Sequence, residues 1–370
     1  MTEEQKRKKR ERERERQNAF VDGYLHRQET SSREFLSRLK LLMAPSNSTD
    51  PEIQCEYHND TRTEQVFKLT AYFIILFGSL IGNALVILFV VFNRQMRTVT
   101  NYLIVNMAVA DLLLTAFNMP VLIKFIATRS IDWSVTLCKI IPFTQSLSVA
   151  SSVLTLAAIS IDRFLAIMFP LKRYVTFSIA CIMIAVVWIV GIAVNSPLLY
   201  AMKIVFDKKA QKSYCLEVWT PVFTENAARD FTIVVFAAFY VFPLLTMSVL
   251  YSFVIHNLWV RKVPGVQTQA NQLRADRSKK KNLKMLLAVV VVFALCWLPV
   301  YITQFITFFG QEPFPCGVPA TFPFVGYFLG HANSVINPAM YAVFNSRFRK
   351  AFRDLLLCRC RRRKNEQHRS

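Results

Sequence analysis

Asp111 closes the run Asn106-Met107-Ala108-Val109-Ala110-Asp111 inside an otherwise apolar stretch, with no base beside it. Asn83, Ser152, Asn333, Ser334 and Asn337 stand at compatible depths in other apolar stretches. A carboxylate in such surroundings is costly and marks function by default. Ringed by amide and hydroxyl oxygens, it could hold a small cation such as sodium, or a proton. The same groups could instead stitch helices together with hydrogen bonds, although a purely structural network has no need of a carboxylate. Farther along, Asn337-Pro338-Ala339-Met340-Tyr341 interrupts the stretch from Thr321 to Phe344. Proline removes a backbone hydrogen bond and bends a helix. Polar neighbours must then satisfy the freed carbonyl, because hydrocarbon offers no water. Asp162-Arg163-Phe164 supplies another ionisable pair, able to bond internally or to reach the interface.

These groups need long apolar elements to position them. Of the 370 residues 53% are hydrophobic, with 31 Phe, a membrane-protein composition. Seven segments of spanning length run at 67–92, 101–127, 138–169, 177–201, 231–259, 283–309 and 321–344, here called helices one to seven. Each is too long for a strand and none alternates with period two, which disfavours a β-barrel. The expected fold is an all-α membrane protein, a seven-transmembrane helix bundle. Phe348, Phe352, Leu355 and Leu356, with a basic face, add a short amphipathic eighth helix. Residues 1–66 then form an extracellular, largely disordered tail, 67–344 the bundle, and 345–370 the cytoplasmic amphipathic helix and basic tail.

A net charge of +21 would suggest nucleic acid in a soluble chain, but its placement excludes that reading. Basic residues follow helix one (Arg94, Arg97) and helix three (Lys172, Arg173), precede helix six (Arg274 to Lys284) and follow helix seven (Arg347 to Lys364). Short basic loops stay cytosolic, so the amino terminus is outside in the plasma membrane, and the basic face meets anionic lipid. The run Lys6-Arg7-Lys8-Lys9-Arg10 opposes this, since translocation would have to carry it across. Either it belongs to a solvated tail or Met43 is the working start. The sequons at Asn47 and Asn59 fall on the outer side, as do Cys55, Cys138, Cys215 and Cys316. A Cys138–Cys215 bridge would pin the loop between helices four and five over the bundle, and Cys55 with Cys316 could form a second. Cys181 and Cys296 read as packing thiols, and Cys358 and Cys360 as juxtamembrane palmitoylation sites.

Asp162-Arg163, Asn337-Pro338-x-x-Tyr341, Asp111, Cys138/Cys215, Trp188, Pro243, Tyr251 and Cys296-Trp297-Leu298-Pro299 occur in order across all seven spans. In this set the chain resembles the rhodopsin-like (class A) G-protein-coupled receptors. The resemblance implies that Pro299 makes helix six a lever whose inner end swings outward. It implies a switch at Trp297 with Phe293, Val153 and Pro243, and an Arg163 that is released to meet Tyr251 and Tyr341. Asn337 and Pro338 would couple this switch to Asp111. A heterotrimeric G protein would enter the opened inner cavity beside Leu171, with arrestin and a receptor kinase as further partners. Phe164 replaces the usual Tyr, and Lys279 stands where many members place an acid that restrains the Arg, so appreciable basal signalling is expected.

Gln145 stands where amine receptors carry an Asp, so a protonated amine lacks its counter-ion. His331 stands where opsins carry the retinal lysine, which excludes a light receptor. Tyr214-Cys215-Leu216-Glu217-Val218-Trp219, the entry Cys138 to Gln145, and Trp133 resemble neuropeptide receptors of the RFamide, neuropeptide Y and orexin group. That resemblance implies a peptide ligand, amidated and RFamide-like. Gln145 and Gln304 could bond a terminal carboxamide. Glu217, Glu225 and Asp230, read as exposed acids, could pair with a peptide arginine, and Phe231, Tyr327, Phe328 and Phe308 could cradle a ring beside His331. A receptor for another peptide or small ligand is the alternative. A transporter would show inverted repeats, which are not evident, and no metal cluster, nucleophile elbow or phosphate loop suggests an enzyme.

Overall fold

The computed structural model describes residues 60–169, 171–172, 174–207, 212–224, 226–260, 269–309 and 321–357. The expectations for Asn47, Asn59, Cys55, Cys316, Glu225, Cys358, Cys360, Met43 and the amino-terminal basic run lie outside them. For Lys279 and Phe308 the helical backbone is described but not the side chain.

The bundle is helical throughout its length. Helix one spans Arg62–Phe92, helix two Val99–Thr128, helix three Val135–Met168 and helix four Phe177–Asn195. Helix six runs Gln269–Phe309 and helix seven Thr321–Phe344. Helix one begins before its apolar run because Thr61 and Glu64 form a capping box, each side chain bonding the other's backbone N–H. Thr98, Ser134 and Thr176 cap helices two, three and four in the same single-oxygen manner. Helix four stops at Asn195 because Pro197 cannot continue it, and one further turn, Leu198–Ala201, leads into the outer loop.

Helix five is broken. It comprises Ala227–Phe236, a π turn Ala237–Val241 and Phe242–Val260. Pro243 has no N–H for the carbonyl four residues back, and the wider turn just before it absorbs that defect. By length and composition, six helices among the described residues are apolar enough to cross a membrane. Helix seven, expected as a seventh apolar span, falls outside that set. It carries His331, Asn333, Ser334 and Asn337, all turned into the bundle and buried, so its polarity is spent inside and not on lipid. A short helix, Ser346–Leu356, follows; Asn345 caps it, and Phe348 is fully buried while Arg347, Arg349 and Lys350 are exposed.

Sequence patterning missed one element. The loop after helix four is an antiparallel hairpin, β1 (Met202–Asp207) with β2 (Lys212–Glu217), in the register Ile204 to Cys215. A disulfide joins Cys215 to Cys138 at the start of helix three, so the hairpin lies across the outer mouth.

Candidate functional site

Beneath the hairpin is a cavity of about 300 Å³. Gln145 of helix three, Glu217 of β2, Phe231 of helix five, Gln304 of helix six and Tyr327 of helix seven all line it, and Trp297 lies at its base. Five elements thus bring five of the ligand candidates to one space. Glu217 is not the exposed acid expected. It is half-buried and accepts a 2.6 Å hydrogen bond from Trp219 Nε1. Burial pushes its carboxyl above the usual range, and the indole N–H opposes that shift only partly. The neighbouring base Lys203 is engaged elsewhere, on the Thr220 carbonyl at 3.0 Å and over the Tyr200 ring.

The remaining candidates sit apart from the cavity. Asp230 is exposed and pairs with Arg229 at 3.0 Å, because the first turn of helix five carries it toward solvent. Phe328 packs edge-on against Tyr72 and stacks with Phe324. His331 is buried with its Nδ1 2.6 Å from the Tyr327 carbonyl. A carbonyl can only accept, so Nδ1 carries the proton and donates. The His331 ring therefore supports the backbone of cavity-lining Tyr327 from below. Tyr301, Val235 and Phe239 also line the cavity. Their type gave no sign of it, since aromatic and β-branched residues in a membrane helix face lipid or core equally well.

The middle of the bundle is a polar network. Asn337 Nδ2 donates to Asp111 Oδ2 at 2.9 Å, and Ser152 Oγ reaches Oδ1 at 3.5 Å. Asn83 Nδ2 donates to the Ser334 carbonyl at 2.9 Å, tying helix one to helix seven. Ser334 Oγ itself turns back to the His331 carbonyl at 2.7 Å, and Asn333 Oδ1 is buried without a partner among the described residues. Trp188 Nε1 donates to Asn106 Oδ1, while Asn106 Nδ2 donates to Thr155, joining helices four, two and three at 2.8 Å each.

At the inner end Arg163 is held rather than free. Its Nη2 lies 2.6 Å from Asp162 Oδ2, and it also bonds Thr100 of helix two, whose hydroxyl donates to the same carboxylate at 2.9 Å. Thr100 escaped the sequence reading because nothing local marks a partner 62 residues from Asp162. Tyr251 and Tyr341 are buried and engage other groups. The Tyr251 hydroxyl accepts from Ser160 at 2.8 Å, and the Tyr341 ring packs on Phe348. A second cavity of about 410 Å³ opens beside Asp162 and Arg163, lined also by Met285, Leu286 and Arg347. Trp297, Phe293 and Val153 share one buried core, and Pro243 is buried as well. Pro299 and Pro338 stand within their helices. Leu171 is fully exposed on the inner loop. Cys296 is buried, whereas Cys181 faces outward from helix four and does not pack in the bundle.

Residues 82–341 match the family described as 7 transmembrane receptor (rhodopsin family). The chain is 34% identical to a QRFP-like peptide receptor of Branchiostoma floridae, over 80% of this chain and 78% of that one. It is 32% identical to neuropeptide FF receptor 2 of Rattus norvegicus, over 77% and 71%. It is 33% identical to the substance-K receptor of Homo sapiens, over 78% and 72%.

Proposed function

The chain belongs to the rhodopsin family of seven-transmembrane receptors, and from that premise we propose that it binds an extracellular, amidated peptide of the RFamide type at the plasma membrane and activates a heterotrimeric G protein. The outer cavity carries the reading: two carboxamides, one carboxylate and aromatic walls above Trp297. Gln145 and Gln304 each offer a donor and an acceptor, matching a terminal carboxamide that is itself both. Glu217 supplies a counter-charge for a peptide arginine. Phe231 and Tyr327 present ring faces to the last side chain. The QRFP-like peptide receptor and the neuropeptide FF receptor bind peptides by name, which supports the ligand class.

Binding displaces Trp297, and helix six pivots at Pro299 so that its inner end moves outward. Arg163 then leaves Asp162 and Thr100 for Tyr251 and Tyr341. The widened inner cavity admits the terminal helix of the G protein, and later arrestin and a receptor kinase. The groups on Asp111 suit a sodium ion, with Ser152 Oγ as a neutral oxygen beside the carboxylate and Asn333, whose Oδ1 has no partner among the described residues, as a further ligand. Bound there, the ion would supply a positive charge that neutralises Asp111 and favours the resting arrangement.

Calcium and cAMP responses to amidated peptides and to their free acids test the reading. The amide should act, the free acid should be weaker by roughly tenfold or more, and Arg163→Ala should be silent. Equal potency of amide and acid would remove the carboxamide role. The identity to the substance-K receptor favours a second reading, a different peptide class, which the same screen resolves.

A further inference from the structure

Helix seven meets helix six on a glycine face. Gly326 and Gly330 lie four residues apart, one above the other on the helix, and both are buried. A Cβ at Gly330 would stand 3.2 to 3.4 Å from Cζ3, Cη2 and Cε3 of the Trp297 benzo ring. At Gly326 it would stand 3.3 to 3.4 Å from backbone atoms of Pro299 and Val300. A separate observation concerns the indole. Trp297 is buried at the base of the outer cavity, yet its Nε1 has no hydrogen-bond partner among the described residues. Its position is set by fit rather than by a polar contact.

We propose that Gly330 is a positioning residue whose bare Cα seats the Trp297 indole, and that this steric seat holds the resting side of the switch. The signalling consequence rests on the receptor reading above, whereas the seat itself does not. A methyl group at 330 penalises the seated indole and leaves an unseated one untouched, so it shifts the population toward the signalling form. Position 326 behaves differently, because backbone cannot swing aside as a ring does. Gly326→Ala should lower the yield of folded receptor.

The test uses full-length receptor grown on 5-fluorotryptophan, whose five Trp signals are followed by fluorine NMR, with the Trp297 signal assigned through Trp297→Phe. In Gly330→Ala the Trp297 signal should move or split while the other four hold. Ligand-independent nucleotide exchange on a purified G protein should rise roughly fivefold. An unmoved Trp297 signal overturns the seat. A moved signal with exchange no higher than in the parent overturns its role as the resting restraint, provided that the parent couples. A moved signal with no exchange in any variant upholds the seat and overturns the receptor reading instead. Should Gly330→Ala fail to fold, Trp297→Phe removes the benzo contact from the other side and should raise exchange in the same direction. No rise would count against the seat.

Discussion

Helices one, two, three, four and seven are joined by buried polar contacts: Asn83 to Ser334, Asn106 to Trp188 and Thr155, and Asp111 to Ser152 and Asn337. Helix six is held differently. Phe236, Tyr240 and Tyr301 meet ring to ring at about 5 Å, and the Tyr240 hydroxyl donates to the Ala294 carbonyl just below the Pro299 kink. Buried hydrogen bonds are directional and fix one arrangement, whereas ring contacts tolerate sliding and repacking. The bundle therefore has a side fixed by directional polar bonds and a side held by ring packing. Proline interrupts both sides: Pro120, Pro142 and Pro338 lie within helices two, three and seven, while the π turn before Pro243 and Pro299 lie on the ring-packed side.

Substitutions on the two sides should separate. The largest effect belongs to Arg163→Ala, which should abolish agonist-driven nucleotide exchange while ligand binding survives; intact exchange would break the assignment of the inner end. Asn83→Ala strikes the fixed side, since Asn83 is fully buried and bridges two helices. It should cost about 1–3 kcal/mol in detergent unfolding assays, with agonist potency retained in whatever folds. Glu217→Gln should reduce potency for an arginine-containing peptide by roughly tenfold and spare its citrulline analogue.

Glu217 also predicts a pH dependence. Its carboxyl is raised by burial, so as pH falls it becomes neutral sooner than an ordinary glutamate would. Affinity for a cationic ligand should be full at high pH and fall through mild acid, and Glu217→Gln should flatten that slope. The smallest effect is that of Tyr240→Phe, which loses one interhelical bond worth on the order of 0.6 kcal/mol. It should leave thermal stability nearly unchanged but raise basal exchange modestly. A large loss of stability would place helix six among the fixed elements.

Much of this was legible because lipid imposes length and apolarity. Helix seven begins and ends where its apolar run does, whereas helix four, expected to reach 201, stops at Asn195 before Pro197 because apolarity continues past the break. The early start of helix one was written in Thr61 and Glu64, yet an apolar reading passes over a polar first turn. The hairpin was hidden because Met202-Lys203-Ile204-Val205-Phe206 continues the apolarity of the preceding segment. Within the sites, residue type identified Gln145, Gln304 and Glu217, since amides and an acid near a membrane's outer face are conspicuous. Asp230 carried the same signal, and Phe328 and His331 were expected at the ring cradle, yet all three lie elsewhere. Which way a side chain turns depends on helix rotation, and that is fixed by packing partners far away in sequence.

The hairpin's covalent anchor has a metric consequence. Cys215 and Glu217 are two residues apart on β2, and alternate residues of a strand share a face. Cys138 and Gln145 are seven apart on helix three, close to two full turns, and so share a side of that helix. The Cys138–Cys215 bond is thus a common datum from which the carboxylate and the carboxamide are both measured out. Inserting a single residue between Cys215 and Glu217 would turn the acid to the opposite side of the strand without touching any group that lines the cavity from the helices. Across related receptors, the spacing between that half-cystine and the next acid is then a ruler for where a ligand's positive charge must sit.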